Sequence, residues 1–122
     1  MLYTGVDIVE ISRIRKAIKD WGDIFLKRTY TTAEIKHYRD KPPSLAARFA
    51  AKEAVIKMLG SDGKSFNLLD IEVLSGFNGQ PLLKLYGQAK ERASSLKLGE
   101  VSLSLSHSRS YAVALAVGRA AD

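Results

Sequence analysis

A chain of 122 residues with 46% apolar and 26% charged side chains has the make-up of one globular domain spanning 1–122, and it is too short for two. It contains no cysteine, which excludes disulfides, thiol catalysis and most zinc sites. Of its net charge of +6, +5 falls in residues 13–41, where nine Lys/Arg face four Asp/Glu; that stretch is a candidate docking surface for an acidic protein or a nucleic acid.

The longest apolar run, Tyr111 to Val117, is far below the roughly 20 residues of a membrane span. Asp7 and Glu10 interrupt the early apolar stretch, so no signal-peptide pattern opens the chain and residence in the cytoplasm is expected.

Leu2 to Val9 reads as a strand through Tyr3, Val6, Ile8 and Val9, with Asp7 placed where the strand ends. Ile11, Ile14, Ile18 and Trp21 then recur at helical spacing, while Arg13, Arg15, Lys16 and Lys19 take the other faces: an apolar side for the core and a cationic exterior. Thr31-Thr32-Ala33-Glu34 fits a capping box, with Tyr30 and Ile35 as its hydrophobic staple, and predicts a short helix toward Tyr38 that Pro42-Pro43 terminates.

Ser44 is the predicted cap of a long helix that Gly60 stops. Leu45, Phe49, Ile56 and Leu59 form its apolar stripe. Lys52 stands in the middle of that stripe, where an ammonium must either snorkel out or meet an anion. Glu53 lies on the flank with Lys57 one turn later, an ordinary i,i+4 pair on its face, and the small Ala46 and Ala50 leave room for something to approach. Residues 60–64 make a small-residue loop containing Gly63 and Lys64; it lacks the Walker spacing and reads as a turn, although its amides suit a phosphate.

Ile71 and Val73 alternate with polar neighbours, and Phe77-Asn78-Gly79-Gln80 turns the chain into Pro81 to Leu85, a hairpin. Gln88 to Leu96 is a helix closed by Gly99. A second hairpin pairs Val101, Leu103, Leu105 and His107 with Tyr111 to Val117, whose three alanines share one face suited to close packing. His107 continues the apolar phase of its strand, the pattern of a buried structural histidine. The fold class is α+β, an antiparallel sheet packed on the long central helix.

Asp7 and Glu53, two carboxylates on separate elements, are the donor set of a magnesium site with few protein ligands, which completes its shell with water and substrate phosphate. Arg48, Lys52, Lys57 and Lys64 would add cations, the equipment of phosphoryl transfer. A basic binder of nucleic acid accounts for residues 13–41 but leaves Asp7, Lys52 and His107 unused, and it lacks interleaved aromatic platforms.

Three motifs, residues 5–14 (GVDIVEISRI), 48–57 (RFAAKEAVIK) and 104–114 (SLSHSRSYAVA), together resemble holo-acyl-carrier-protein synthase, the short bacterial type of 4′-phosphopantetheinyl transferase. The likeness covers essentially the whole chain, and Gly79-Gln80-Pro81 is similar to the family's Gly-Lys-Pro turn. The resemblance implies that coenzyme A donates 4′-phosphopantetheine to a serine of apo acyl carrier protein, releasing adenosine 3′,5′-bisphosphate, without a nucleic acid or membrane partner. It implies magnesium on Asp7 and Glu53, with Lys57 at the phosphates or the leaving group. It implies coenzyme A lined by Arg48, Lys52 and His107, and acyl carrier protein met by Arg13; the loop with Gly63 and Lys64 would add contacts to the coenzyme A phosphates, and Arg15 and Lys16 would assist Arg13 on the same helix. It also implies a homotrimer with sites between subunits. Ser108 follows the histidine where some relatives have aspartate, so the general base is open among a magnesium-bound water, Glu53 and His107.

Overall fold

In the computed structural model, which describes residues 1–60 and 66–121, the chain runs β1 (Leu2–Glu10), α1 (Ile11–Trp21), α2 (Asp23–Thr29), α3 (Thr32–Tyr38) and α4 (Pro42–Leu59). A 3₁₀ turn (Leu68–Asp70) leads into β2 (Ile71–Ser75), β3 (Pro81–Leu85), α5 (Gly87–Ser95), β4 (Leu98–His107) and β5 (Tyr111–Ala120). The strands form two antiparallel sheets, one ordered β1-β5-β4 and one β2-β3. This is the α+β arrangement with α4 at its centre.

Small residues on both partners set how α4 meets the larger sheet. Ala112, Ala114 and Ala116 of β5 are fully buried, as are Ala46, Ala50, Ala51 and Ala54 of α4. The room expected beside Ala46 and Ala50 is therefore filled by the protein's own core. Contact is closest at Gly5, where an added Cβ would lie 1.9 Å from the Ala54 carbonyl oxygen, so only glycine lets β1 cross α4 at that depth.

Because the alanines point inward, the opposite face of the sheet carries the large side chains. Val6 pairs across from Leu115 and Glu10 from Tyr111, so they share the outer face with Ile8. There Val6, Ile8, Leu115 and Tyr111 stay 55%, 63%, 43% and 47% exposed, an uncovered apolar surface.

The helix ends follow local chemistry. Thr31 and Glu34 make the expected capping box, Glu34 N–H donating to Thr31 Oγ1 at 3.2 Å and Thr31 N–H to Glu34 Oε1 at 2.8 Å. Pro42-Pro43 does not end α3 but opens α4, because a proline in the first turn gives up an amide that has no helical partner. Ser44 is therefore inside the helix and caps nothing, the N-cap being Lys41. Gly60 closes α4 at φ 66°. Lys97 at φ 59°, not Gly99, follows α5.

Three further expectations change. Asp7 sits within β1, which continues to Glu10. Trp21 is 65% exposed, since α1 ends there and Gly22 turns the chain into α2, a helix with no clear periodic signal in seven residues. Finally α4 has no single apolar stripe: it is buried on several sides, while Phe49 and Ile56 are only partly covered.

Candidate active site

β1 and α4 bring Asp7, Glu53 and Lys57 together. The Lys57 ammonium donates to Asp7 Oδ1 at 3.0 Å and to the Val6 carbonyl at 3.0 Å. Lys57 thus pairs across to the strand and not with Glu53 along its own helix, as the i,i+4 spacing suggested. Partial burial raises the Glu53 pKa above the ordinary carboxylate value; the Asp7 charge adds to this and Lys57 opposes it. Two carboxylates that repel each other are a waiting place for a cation, and the Lys57 ammonium already occupies Asp7 as one would. Their hard oxygens, few in number, fit magnesium, which needs only one or two protein carboxylates.

A second group lies elsewhere. Arg48, Ser44, Ser75, Gly79, Pro81 and the β4 stretch from Leu103 to His107 line a cleft of about 320 Å³. The cleft joins a guanidinium and an imidazole to several serine hydroxyls, a lining suited to phosphate oxygens. Arg48 is almost wholly covered and stacks its guanidinium 3.8 Å from the centre of the Tyr38 ring. It donates to the Val73 carbonyl at 3.2 Å, to Tyr38 Oη at 3.0 Å and to Ser75 Oγ at 2.9 Å. His107 is exposed at the end of β4, not buried as the strand phase suggested, because it stands on the edge strand at the open cleft that it lines with Ser44, Ala47 and Arg48 of α4.

Lys52 does not line this cleft. Its side chain is fully buried, with Nζ 2.7 Å from Glu34 Oε1 and donating to the Leu68 and Ile71 carbonyls. Of the two options for an ammonium in an apolar stripe it takes the second, and the anion is internal. Burial lowers its pKa, and Glu34 works against that. Gly63 and Lys64 lie outside the described residues. Gln80 folds onto its own turn, its Oε1 accepting from Asn78 N–H at 3.0 Å.

The acid group and the cleft lie on opposite sides of α4. Lys57 follows Arg48 by nine residues, about two and a half turns at 3.6 residues per turn, which places them on opposite faces of α4. Asp7 belongs to β1 and His107 to β4, the two outer strands of the sheet.

On α1, Arg13, Arg15 and Lys16 are exposed. Lys16 pairs with Asp20 at 2.7 Å, whereas Arg13 and Arg15 have no ion pair among the described residues. Arg15 shares a cavity of about 420 Å³ with Arg109 of the β4–β5 turn. The sequence reading passed over Arg109, and also over Tyr38, Ser75 and the second role of Glu34. A lone arginine in a serine-rich turn was the only signal for the first. The other three gain their partners through contacts 10 to 39 residues away in sequence.

The family model of the 4′-phosphopantetheinyl transferase superfamily matches residues 3–116. The holo-[acyl-carrier-protein] synthase of Dehalococcoides mccartyi (strain CBDB1) is 52% identical over 119 residues, covering 98% of this chain and 99% of that one. The Herpetosiphon aurantiacus synthase is 46% identical over 125 residues, covering 97% and 98%. Among solved structures, the Helicobacter pylori synthase in complex with coenzyme A superposes with a TM-score of 0.84 at 36% identity, covering 95% of this chain and 99% of that one. The Chronobacterium ammoniagenes synthase–coenzyme A complex also gives 0.84, at 30% identity over 100% and 99%. With the motif match, the fold match and the near-complete coverage in agreement, the chain belongs to the 4′-phosphopantetheinyl transferase superfamily, among its holo-[acyl-carrier-protein] synthases.

Proposed function

We propose that this enzyme transfers 4′-phosphopantetheine from coenzyme A to a serine of apo acyl carrier protein in the cytoplasm, with magnesium, and releases adenosine 3′,5′-bisphosphate. The observation that carries the reading is the convergence of Asp7, Glu53 and Lys57 from separate elements. That is the minimum set for binding and neutralising a pyrophosphate: two carboxylates for the metal and one ammonium for an oxygen of the leaving phosphate.

In the reaction the carrier serine oxygen forms a bond to the phosphorus attached to pantetheine. The bond from that phosphorus to the bridging oxygen breaks, and the electron pair leaves with adenosine 3′,5′-bisphosphate. Asp7 and Glu53 would hold magnesium, which when bound would supply charge neutralisation at the pyrophosphate. Lys57 is aimed at the same place and follows the negative charge onto the leaving group. The protein groups from which a base for the serine proton would come are Glu53 and His107. Arg48 and His107 hold the nucleotide end in the cleft, and Arg13, with Arg15 and Lys16, receives the carrier protein.

A reading in which all of this happens within one subunit conflicts with the separation across α4. An assembly resolves it, with the acid group of one subunit facing the cleft of the next. The uncovered apolar face around Val6, Ile8, Tyr111 and Leu115 supports such a contact, and we propose a homotrimer with three shared sites. Incubation with apo acyl carrier protein, coenzyme A and magnesium, followed by intact mass spectrometry, tests the reaction. The reading predicts one phosphopantetheine added per carrier protein, and an unchanged mass contradicts it.

A further inference from the structure

We propose that Lys52, Glu34 and Arg48 act as a side-chain substitute for a missing third strand, fixing the β2–β3 hairpin as one wall of the nucleotide cleft. Lys52 and Glu34 are then positioning residues for coenzyme A. This deepens the function proposed above and rests on its assignment of the cleft to coenzyme A.

Tyr86 N–H donates to the Asp70 carbonyl, and Gly76 N–H to the Gln80 carbonyl, so even-numbered residues of β2 face β3 and odd-numbered ones face away. The outward edge therefore presents, in order, the Ile71 carbonyl, the Val73 amide and the Val73 carbonyl. Each is met by an ionised side chain of the required kind. Lys52 donates to the Ile71 carbonyl, Glu34 Oε2 accepts from Val73 N–H at 2.8 Å, and Arg48 Nε donates to the Val73 carbonyl at 3.2 Å. Lys52 and Glu34 are joined to each other at 2.7 Å with both side chains fully buried.

A buried ion pair is seldom the most stable solution for a core, since well-packed apolar side chains of similar volume usually do as well or better. What this one supplies is register. A two-stranded sheet has no third strand to fix its position, and the donor–acceptor–donor order fits only one placement of β2; a one-residue slip sets carbonyl against carboxylate and amide against ammonium. Beyond Val73 the strand reaches Ser75, bonded to Arg48, and then the turn whose Gly79 and Pro81 face His107 across the cleft. The width of the cleft is set by where the hairpin sits, and these side chains set that.

The test is the double variant Glu34→Gln/Lys52→Met in the full chain, which removes both charges so that neither is left buried alone. The expected result is a coenzyme A KM raised roughly tenfold at saturating carrier protein, with the carrier-protein KM and kcat within about twofold of wild type. Amide exchange of residues 71–75 should accelerate while that of α4 does not. An unchanged coenzyme A KM overturns the proposal, as does a parallel rise in both KM values with faster exchange throughout. A measurement on the unaltered protein covers a variant that does not fold: the Val73 amide, although on a strand edge, should exchange as slowly as the core of β5 and slow further with coenzyme A. Rapid exchange there removes the clamp. Calorimetry of the wild type with coenzyme A separates the two layers of inference. No binding removes the cleft assignment and this proposal with it, whereas binding with an unaffected double variant removes the clamp alone.

Discussion

Lys57 reaches across from α4 to bind Asp7 of β1 at 3.0 Å, although Glu53 lies one helical turn away on its own helix. That choice leaves the Glu53 carboxylate close to a second acid, half-buried and without a bonded cation among the described residues. A site so arranged costs stability, which a cation bound between the two carboxylates would restore.

Metal-free protein should show this in its pH dependence. The folded-state pKa of Glu53 is raised, so the folded state holds more protons than the unfolded one between the ordinary value of 4.5 and the raised one. Stability therefore falls as pH rises through that window, and the penalty is complete above it. Glu53→Gln should melt higher than wild type at pH 7 to 8, and the difference should vanish as pH falls toward 4.5. Magnesium should raise the midpoint of wild type but not of the variant. Thermal melts at three pH values with and without magnesium check both statements.

Replacing Asp7 or Glu53 by Ala should abolish most turnover; the metal-free thermal midpoint should rise for Glu53→Ala, which only removes a repulsion, and stay near wild type for Asp7→Ala, which also loses the ion pair to Lys57. Single-turnover assays of the two variants decide this. Turnover within a few-fold of wild type in either one removes it from the metal site.

Arg13→Glu should lower kcat/KM for acyl carrier protein by about 5- to 30-fold at low salt, because an exposed attraction of order 1–2 kcal/mol becomes a repulsion. The defect should shrink as salt rises, through screening. Coenzyme A affinity in the absence of carrier protein should hardly move; an equal loss there places α1 at the nucleotide site.

Gly5→Ala tests the packing that positions Asp7. The new methyl has backbone on its far side, at 1.9 Å from the Ala54 oxygen, so β1 must move away from α4. A loss of about 1–3 kcal/mol is expected from overpacking, with a disproportionate loss of activity as Asp7 shifts. Denaturant melts and kinetic assays on the same preparation give both quantities.

Most of the fold was readable because local signals were strong. The Thr31–Glu34 capping box, the turn before Pro81 and the alternation in β4 and β5 each depend on residues within a few positions of one another. Misreadings arose where a tertiary partner decided the outcome. Lys52 looked like a ligand because the sequence shows its apolar surroundings and not Glu34, 18 residues earlier, which it meets in the core. Proline signals a break equally before and after itself, so Pro42-Pro43 was given to the wrong helix. Alternation in β5 shows that two faces differ without saying what each one meets; α4 takes the three alanines, and the larger residues are left exposed on the other face. Asp7, Glu53 and Lys57 were legible as a group through the motif resemblance, while the pairing inside that group came only with the geometry.

The measurement that bears most directly on the account is mixing of two inactive variants, Asp7→Ala and Arg48→Ala, unfolded together and refolded in equal amounts, with transfer read as phosphopantetheine mass gained by apo acyl carrier protein. If each site joins the acid group of one subunit to the cleft of the next, random assembly restores about a quarter of the sites, one half for each contributor. Activity near a quarter of wild type is the predicted result. Activity no higher than that of the two variants refolded separately contradicts the shared site and returns all of these residues to a single subunit.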